Sequence, residues 1–388
     1  MPAKPKMAIA ILSALVIVAG CSSSATTAPT ATPAPTPTPA AVTSAAAPSA
    51  ATTPLKIGVV TDVGRVDDKN FNQYSYEGAK TAAATLGTTA EYVVPKDASD
   101  YTKDIQGYVD QKYNVIVTVG FNLGDATIKA AKANPNIWFI AVDVAPCVDE
   151  TGAPDSTFTC KGDASKLLPK LIGVQFQEDQ AGYLAGIVAA AVSKSGTIGQ
   201  LGGINNNPAV VRYMQGFQLG AASYKSSIVV DSSFFSSGDL GKAYGDPVFG
   251  KQFSTQFIAQ KKVDVLFQVA GATGNGALDA ACAAGIMAVG VDVDEYKSYP
   301  TADKCIVTSA EKHLSSAVSQ TIAKIAAGTA AGGIAKFDAT NDGIGISAFQ
   351  NSAITIPADV QGKLDAALAA MKAGTLKTCP DKCGTWAP

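Results

Sequence analysis

One unit of sequence occurs twice in this chain and restricts its fold more than any other feature. Val115-Ile-Val-Thr-Val-Gly120, a helix-length stretch, then Trp138-Phe-Ile-Ala-Val-Asp143 is echoed later. The echo is Val265-Leu-Phe-Gln-Val-Ala-Gly271, another helix-length stretch, then Met287-Ala-Val-Gly-Val-Asp292. Each unit reads strand, glycine, helix, strand, aspartate. Two strands joined by a crossover that long pair in parallel, and their unbroken apolar character demands cover on both faces. The units belong to two longer series. The first predicts strands at 56–61, 91–94, 115–119 and 138–142, with helices near 71–86, 101–112 and 125–133. The second predicts strands near 172–176, 197–201, 228–231, 265–269 and 287–291, separated by helices near 179–194, 209–224, 251–261 and 275–284. The fold class is α/β, with doubly wound parallel sheets.

The region before Pro54 cannot take part. Positions 22–53 hold only Ser, Thr, Ala, Pro and Val42, which leaves nothing to build a core. At about 150 residues per domain, the remainder of the 388-residue chain predicts two domains. Lys4 and Lys6 precede an apolar run at 7–19 that is too short for the ~20 residues of a membrane-spanning helix. The run ends in Val18-Ala19-Gly20-Cys21. This pattern resembles a bacterial lipoprotein signal, which implies a signal peptide at 1–20, lipidation of Cys21 and a disordered, membrane-anchored tether at 21–53. The competing reading is an ordinary secretory signal that contains a cysteine.

Six cysteines follow Cys21, an even number that fits an oxidising compartment. Their spacing predicts the local pairs Cys147 with Cys160, Cys282 with Cys305, and Cys379 with Cys383. A zinc site is disfavoured, because no C-x2-C pair occurs and His313 is the only histidine. That single histidine also argues against Ser-His-Asp or Cys-His catalysis. A net charge of −2 gives no basic excess for nucleic acid.

Asp62, Asp143 and Asp292 each close a predicted strand, so each belongs at a sheet rim, where open α/β sheets bind ligands. An aspartate there also serves as a helix cap or turn residue. Three closing strongly apolar strands predict two rims facing across a cleft, with carboxylates able to accept hydrogen bonds from a polar ligand.

Val60-Thr-Asp-Val-Gly64, Asp67-Asp-Lys-Asn-Phe-Asn72, Phe176-Gln-Glu-Asp-Gln-Ala-Gly-Tyr-Leu-Ala-Gly186, Asp246-Pro-Val-Phe-Gly-Lys251 and Thr308-Ser-Ala-Glu-Lys312 carry a family resemblance. Over roughly 55–350 the chain resembles the basic membrane protein family, bacterial lipoproteins that act as nucleoside receptors. The resemblance implies a type I periplasmic-binding-protein fold, with two lobes, hinge crossings and ligand between them. Crossings are then expected near Leu171, Ala310 and Lys336. The first lobe would hold 54–172 and about 311–335, the second 173–310 and about 336–376, and 377–388 would form a disulfide-closed tail.

The resemblance also implies site residues. Phe71 matches a base-stacking aromatic, though on a helix it also reads as a core residue. Asp62 and Asp68 match base-edge contacts, and Asn72 either orients them or caps a helix. Asp143 and Asp292 match positions that hold sugar hydroxyls, and Lys312 one that donates to ribose oxygens. Neighbouring His313 is expected on the solvent-facing surface. Tyr244 occupies the place of a second stacking Phe, with Phe234 and Phe235 as competitors. Two departures stand out: Arg65 where the family often has a small residue, here read as solvated, and Asn70 where it usually has Ser.

The stretch Gly271-Ala-Thr-Gly-Asn-Gly276 lacks the P-loop ending and the G-x-G-x-x-G spacing. Gly271 is instead expected to approach a ribose with its backbone. The expected function is that of a substrate-binding lipoprotein on the outer face of the cytoplasmic membrane. It would capture a purine nucleoside for the permease and ATPase subunits of an ABC importer, as a monomer, without cofactor or catalysis. The alternatives are a sugar or other small polar metabolite on the same fold, and a nucleoside-cleaving enzyme.

Overall fold

The computed structural model describes residues 54–387. The expected signal peptide, Cys21 and tether lie outside the described residues. The first series folds as β1 (Ile57–Val60), α1 (Phe71–Thr85), β2 (Ala90–Val93), α2 (Tyr101–Asp110), β3 (Val115–Val119), α3 (Gly124–Ala133) and β4 (Trp138–Val142). A single turn, α4 (Ala164–Leu167), and β5 (Leu171–Phe176) complete it. The second comprises α5 (Glu178–Val192), β6 (Thr197–Gly202), α6 (Pro208–Tyr224), β7 (Val229–Phe234), α7 (Pro247–Lys261), β8 (Val265–Val269) and α8 (Gly271–Ala284). It continues through β9 (Met287–Asp292), the short α9 (Glu295–Ser298) and β10 (Ile306–Lys312). Four elements close the chain: α10 (Leu314–Ala326), β11 (Gly333–Phe337), β12 (Ile344–Ile346) and α11 (Val360–Lys372).

The strands form two six-stranded sheets of equivalent order, β2-β1-β3-β4-β5-β11 and β7-β6-β8-β9-β10-β12. Pairing is parallel throughout, except for β12 against β10. β3 and β8 are buried along their whole length, as runs of Val, Ile, Leu and Phe covered on both faces must be. In each sheet the strand order reverses beside the strand that opens the series, between β1 and β3 and between β6 and β8. That is where doubly wound sheets leave a crevice.

The chain leaves the first sheet after Phe176, returns after Lys312 and crosses again after Phe337. The first of these points differs from the expected boundary. β5 stays paired with β11 through Phe176, so 173–176 belongs to the first sheet and the crossing falls at Gln177, not near Leu171. β10 stays paired with β12 through Lys312, and β11 with β5 through Phe337, so the other two crossings lie within two residues of Ala310 and Lys336. Sheet ladders, not the apolar pattern, decide where each strand ends.

Helices α5 and α6 pack on the second sheet almost backbone to backbone. A Cβ on Gly186 would lie 2.2 Å from the Phe217 carbonyl oxygen, and one on Gly220 would lie 1.9 Å from that of Tyr183. Disulfides join Cys147 to Cys160, Cys282 to Cys305 and Cys379 to Cys383. The last closes a tail that docks on α6. The Gln215 amide donates to the carbonyls of Lys382 and Thr385 and accepts from the Gly384 N–H. Among the described residues no helix is long and apolar enough to cross a membrane.

Candidate functional site

The carboxyl ends of the two sheets face each other across a cleft of about 620 Å3, counting its open mouth. The first lobe contributes Asp62 after β1, Asp68, Phe71 and Asn72 at the start of α1, and Asp143 after β4. The second contributes Tyr244, Gly271, Asp292 and Lys312. The nine side chains and backbone positions expected from the sequence thus line one space.

Lys312 is at its centre. It is the last residue of β10 and is buried. Its Nζ lies 2.6 Å from Asp143 Oδ2 and 3.3 Å from Asp292 Oδ1, and stands 4.5 Å from the centroid of the Phe71 ring. Burial alone would lower the lysine's pKa, yet Asp143 and Asp292 together hold it above its ordinary value. Burial pushes Asp143 up to about 6 against the pull of Lys312, and raises Asp292 in the same way. Both aspartates adopt left-handed backbone, with φ of 60° and 65°, at equivalent places in the two repeats. Asp is among the few residues that tolerate this conformation, which turns the chain at the strand end and leaves the carboxylate at the rim. Asp143 Oδ1 is buried and accepts no hydrogen bond from the protein, and buried Asp292 Oδ1 has only the longer 3.3 Å contact with the Lys312 ammonium. Such orphaned acceptors are rare in folded proteins and call for donors.

The other two carboxylates are largely occupied. Asp62 accepts from the Tyr101 hydroxyl, from the Val63 N–H at 2.7 Å and from Asn122 Nδ2 at 3.1 Å. Asp68 accepts from the backbone N–H groups of Asn70, Asn72 and Gln73 at 2.9–3.0 Å, and so caps the start of α1. A carboxylate offers about four acceptor positions, so each retains about one. Burial raises Asp62 and pushes Asp68 up to about 6. Asn72 acts on Asp62, its Oδ1 accepting the Asp62 N–H at 3.2 Å.

Tyr244 lies in a π-helical turn, Gly241–Gly245, under Gly203, where a Cβ would come within 2.2 Å of its ring. Asn207 Nδ2 donates to its hydroxyl at 3.2 Å. Phe234 packs edge-on to Trp386, and Phe235 is buried beside Phe249 and Phe253; neither lines the cleft. Arg65 is at the mouth, mostly exposed, with its guanidinium held by Asp67 at 2.7 Å. His313 is only partly exposed, and its ring contacts the Asp342 carbonyl beside the second crossing.

Some cleft residues were not marked by the sequence. Tyr213 comes from the buried face of α6 and has no local signature. Asn207 did leave one, since Asn followed by Pro is a helix-start signal and the preceding strand places it on the same rim as the aspartates.

The family model for ABC transporter substrate-binding proteins of the PnrA-like type matches residues 55–372. The chain is 30% identical over 309 residues to the ABC transporter nucleoside-binding protein BmpA of Lactococcus lactis subsp. cremoris, covering 75% of this chain and 80% of that one. It is 26% identical over 264 residues to basic membrane protein A of Borreliella burgdorferi, covering 68% and 70%. Among solved structures it resembles an ABC transporter solute-binding protein from Aeropyrum pernix K1, with TM-score 0.70, 20% identity and coverage of 85% and 95%. A periplasmic solute-binding protein from Actinobacillus succinogenes, solved with D-allose, matches with TM-score 0.55, 14% identity and coverage of 79% and 99%. At these identities the structural matches show the fold, which is that of type I periplasmic solute-binding proteins.

Proposed function

Because the chain belongs to the Bmp family of PnrA-like ABC transporter substrate-binding proteins, we propose that it captures a purine nucleoside in this cleft. The supporting observation is the pair of buried carboxylates Asp143 and Asp292 flanking an ammonium next to an aromatic ring, with Asp143 Oδ1 unpartnered and Asp292 Oδ1 held only by the 3.3 Å contact with Lys312. A vicinal diol supplies two donors for those oxygens and oxygens that accept from Lys312, while Phe71 and Tyr244 offer faces to a planar base. Asp62 and Asp68, with about one acceptor position each, suit ring N–H or amino donors of the base edge. The glycine backbone at Gly271, with φ of 51°, permits close approach of the sugar. Four acidic groups against Lys312 disfavour a phosphate, so nucleotides bind much more weakly than nucleosides.

In this reading the protein is a receptor and not a catalyst. It delivers ligand to the permease and ATPase of an importer, as a monomer held to the outer face of the cytoplasmic membrane through a lipid on Cys21. Calorimetry with a panel of nucleosides, nucleotides and free sugars tests the ligand assignment. Inosine or guanosine is expected to bind without turnover, and Phe71→Ala is expected to weaken binding by ~1–3 kcal/mol, the usual value of a base–aromatic stack. Asp292→Ala should also weaken it, by at least tenfold. Binding of free sugars without nucleosides would overturn the assignment.

A further inference from the structure

Away from the cleft lining, three hydrogen bonds join the lobes. Asn70 Nδ2, from the loop before α1, donates to the Val291 carbonyl at 3.2 Å and to Glu295 Oε1 at 2.8 Å. Asn275 Nδ2, from α8, donates in the opposite direction to the Asp68 carbonyl at 3.0 Å. Asn70 and Glu295 are wholly buried and Asn275 almost so, yet none of the three lines the cleft. Each half of the contact is fixed by its own lobe. Glu295 Oε2 accepts from Gln268 Nε2 at 2.7 Å and from the Val291 N–H at 2.9 Å, and its own N–H donates to Ser309 Oγ. On the other side, the Asp68 cap holds the N–H groups of Asn70, Asn72 and Gln73 and sets the loop.

We infer that the Asn70–Glu295 and Asn275–Asp68 contacts form a latch that closes the lobes without help from a ligand. Both partners are pre-set, so the contact asks for no rearrangement that a ligand would have to induce. The latch is also incomplete, since Asn70 Oδ1 and Asn275 Oδ1 are buried with no partner. An incomplete contact opens more readily than a saturated one, as a receptor that must admit cargo requires. Asn70 and Asn275 are therefore positioning residues. They set affinity through the fraction of molecules already closed, because the apparent dissociation constant scales inversely with the population of the competent state. This goes beyond the choice of ligand, since it concerns the ligand-free protein.

The test places spin labels on Lys129→Cys and Gln256→Cys, exposed on α3 and α7 of opposite lobes, in a Cys21→Ser chain whose other cysteines are paired. Ligand-free protein is expected to show a closed, short-distance population, which Asn70→Ala and Asn275→Ala each reduce several-fold. Asn70→Ser keeps a small polar group and serves should the alanine variant fold poorly. The inosine dissociation constant should rise by about the same factor, through faster dissociation, with the inosine-to-guanosine ratio unchanged. Identical ligand-free distances in the variants and the parent would overturn the latch, as would a parent with no closed population. If no nucleoside binds at all, the ligand assignment fails while the distance measurement still decides the latch.

Discussion

Glu295 is wholly buried, and burial pushes its carboxyl from the ordinary 4.5 up to about 8 against the hydrogen bonds from Val291, Asn70 and Gln268. Asp68 and Asp143 are raised to about 6 by the same cause. A carboxyl whose pKa is higher in the fold than in the unfolded chain keeps an extra proton natively between the two values. Its unfavourable contribution is therefore absent below about 4.5 and complete above about 8, so stability falls as pH rises through that window. The melting temperature of ligand-free protein should decline from pH 5 to pH 8. Glu295→Gln should flatten the upper part of that decline and be more stable at pH 8 by ~1–3 kcal/mol, the size of a buried polar penalty. Equal slopes for the two proteins across that range would refute this account. At this scale the sequence was informative wherever an aspartate ended an apolar strand, because the strand fixes which rim it occupies. It was silent on which carboxylate oxygens remain free. Asp68 is largely occupied in capping α1, whereas Asp143 Oδ1 is orphaned beside Lys312, a residue distant in sequence.

Among the elements, β3, β4 and β8 were legible to the residue because their apolar runs are long and unbroken. β10, β11 and β12 were not. Ile306-Val-Thr-Ser-Ala-Glu-Lys312 turns polar halfway, and Gly333–Phe337 and Ile344–Ile346 are short and contain glycine. Their extended form is imposed by neighbouring strands, which propensity does not register. The α5–α6 contact was equally hidden, as glycines inside helical stretches ordinarily lower confidence in a helix. Here they let two backbones touch. Gly220→Ala, which forces a Cβ to within 1.9 Å of the Tyr183 carbonyl, should destabilise the protein by ~2–4 kcal/mol. At an exposed position of α11, Gly362→Ala meets nothing and should stabilise the protein by ~0.4–1 kcal/mol. Urea unfolding of the pair measures both, and similar midpoints would contradict the packing argument.

Across the whole molecule, each disulfide staples residues within one lobe, so among the described residues no covalent bridge spans the cleft. Reduction should destabilise the fold by the ~2–5 kcal/mol typical of lost native disulfides, and so lower the melting temperature, while leaving affinity for the proposed nucleoside unchanged wherever the protein remains folded. A parallel loss of affinity would show that the staples also control closure. The two-lobed plan itself was readable from the repeated unit, but the first crossing point was not, because it depends on which sheet captures the end of β5. The position of one crossing has a kinetic consequence. Lys312 is the last residue before the chain passes back to the first lobe, so it rides near the pivot, on a short lever arm. Gly64 and Gly245, which approach each other at the mouth, ride on a long one. A swing about that pivot would move the lysine, and Asp143 and Asp292 beside it, little, while the mouth would travel furthest. Substitutions at Lys312 should register mainly in the arrival rate of cargo, and substitutions at the rim in its residence time.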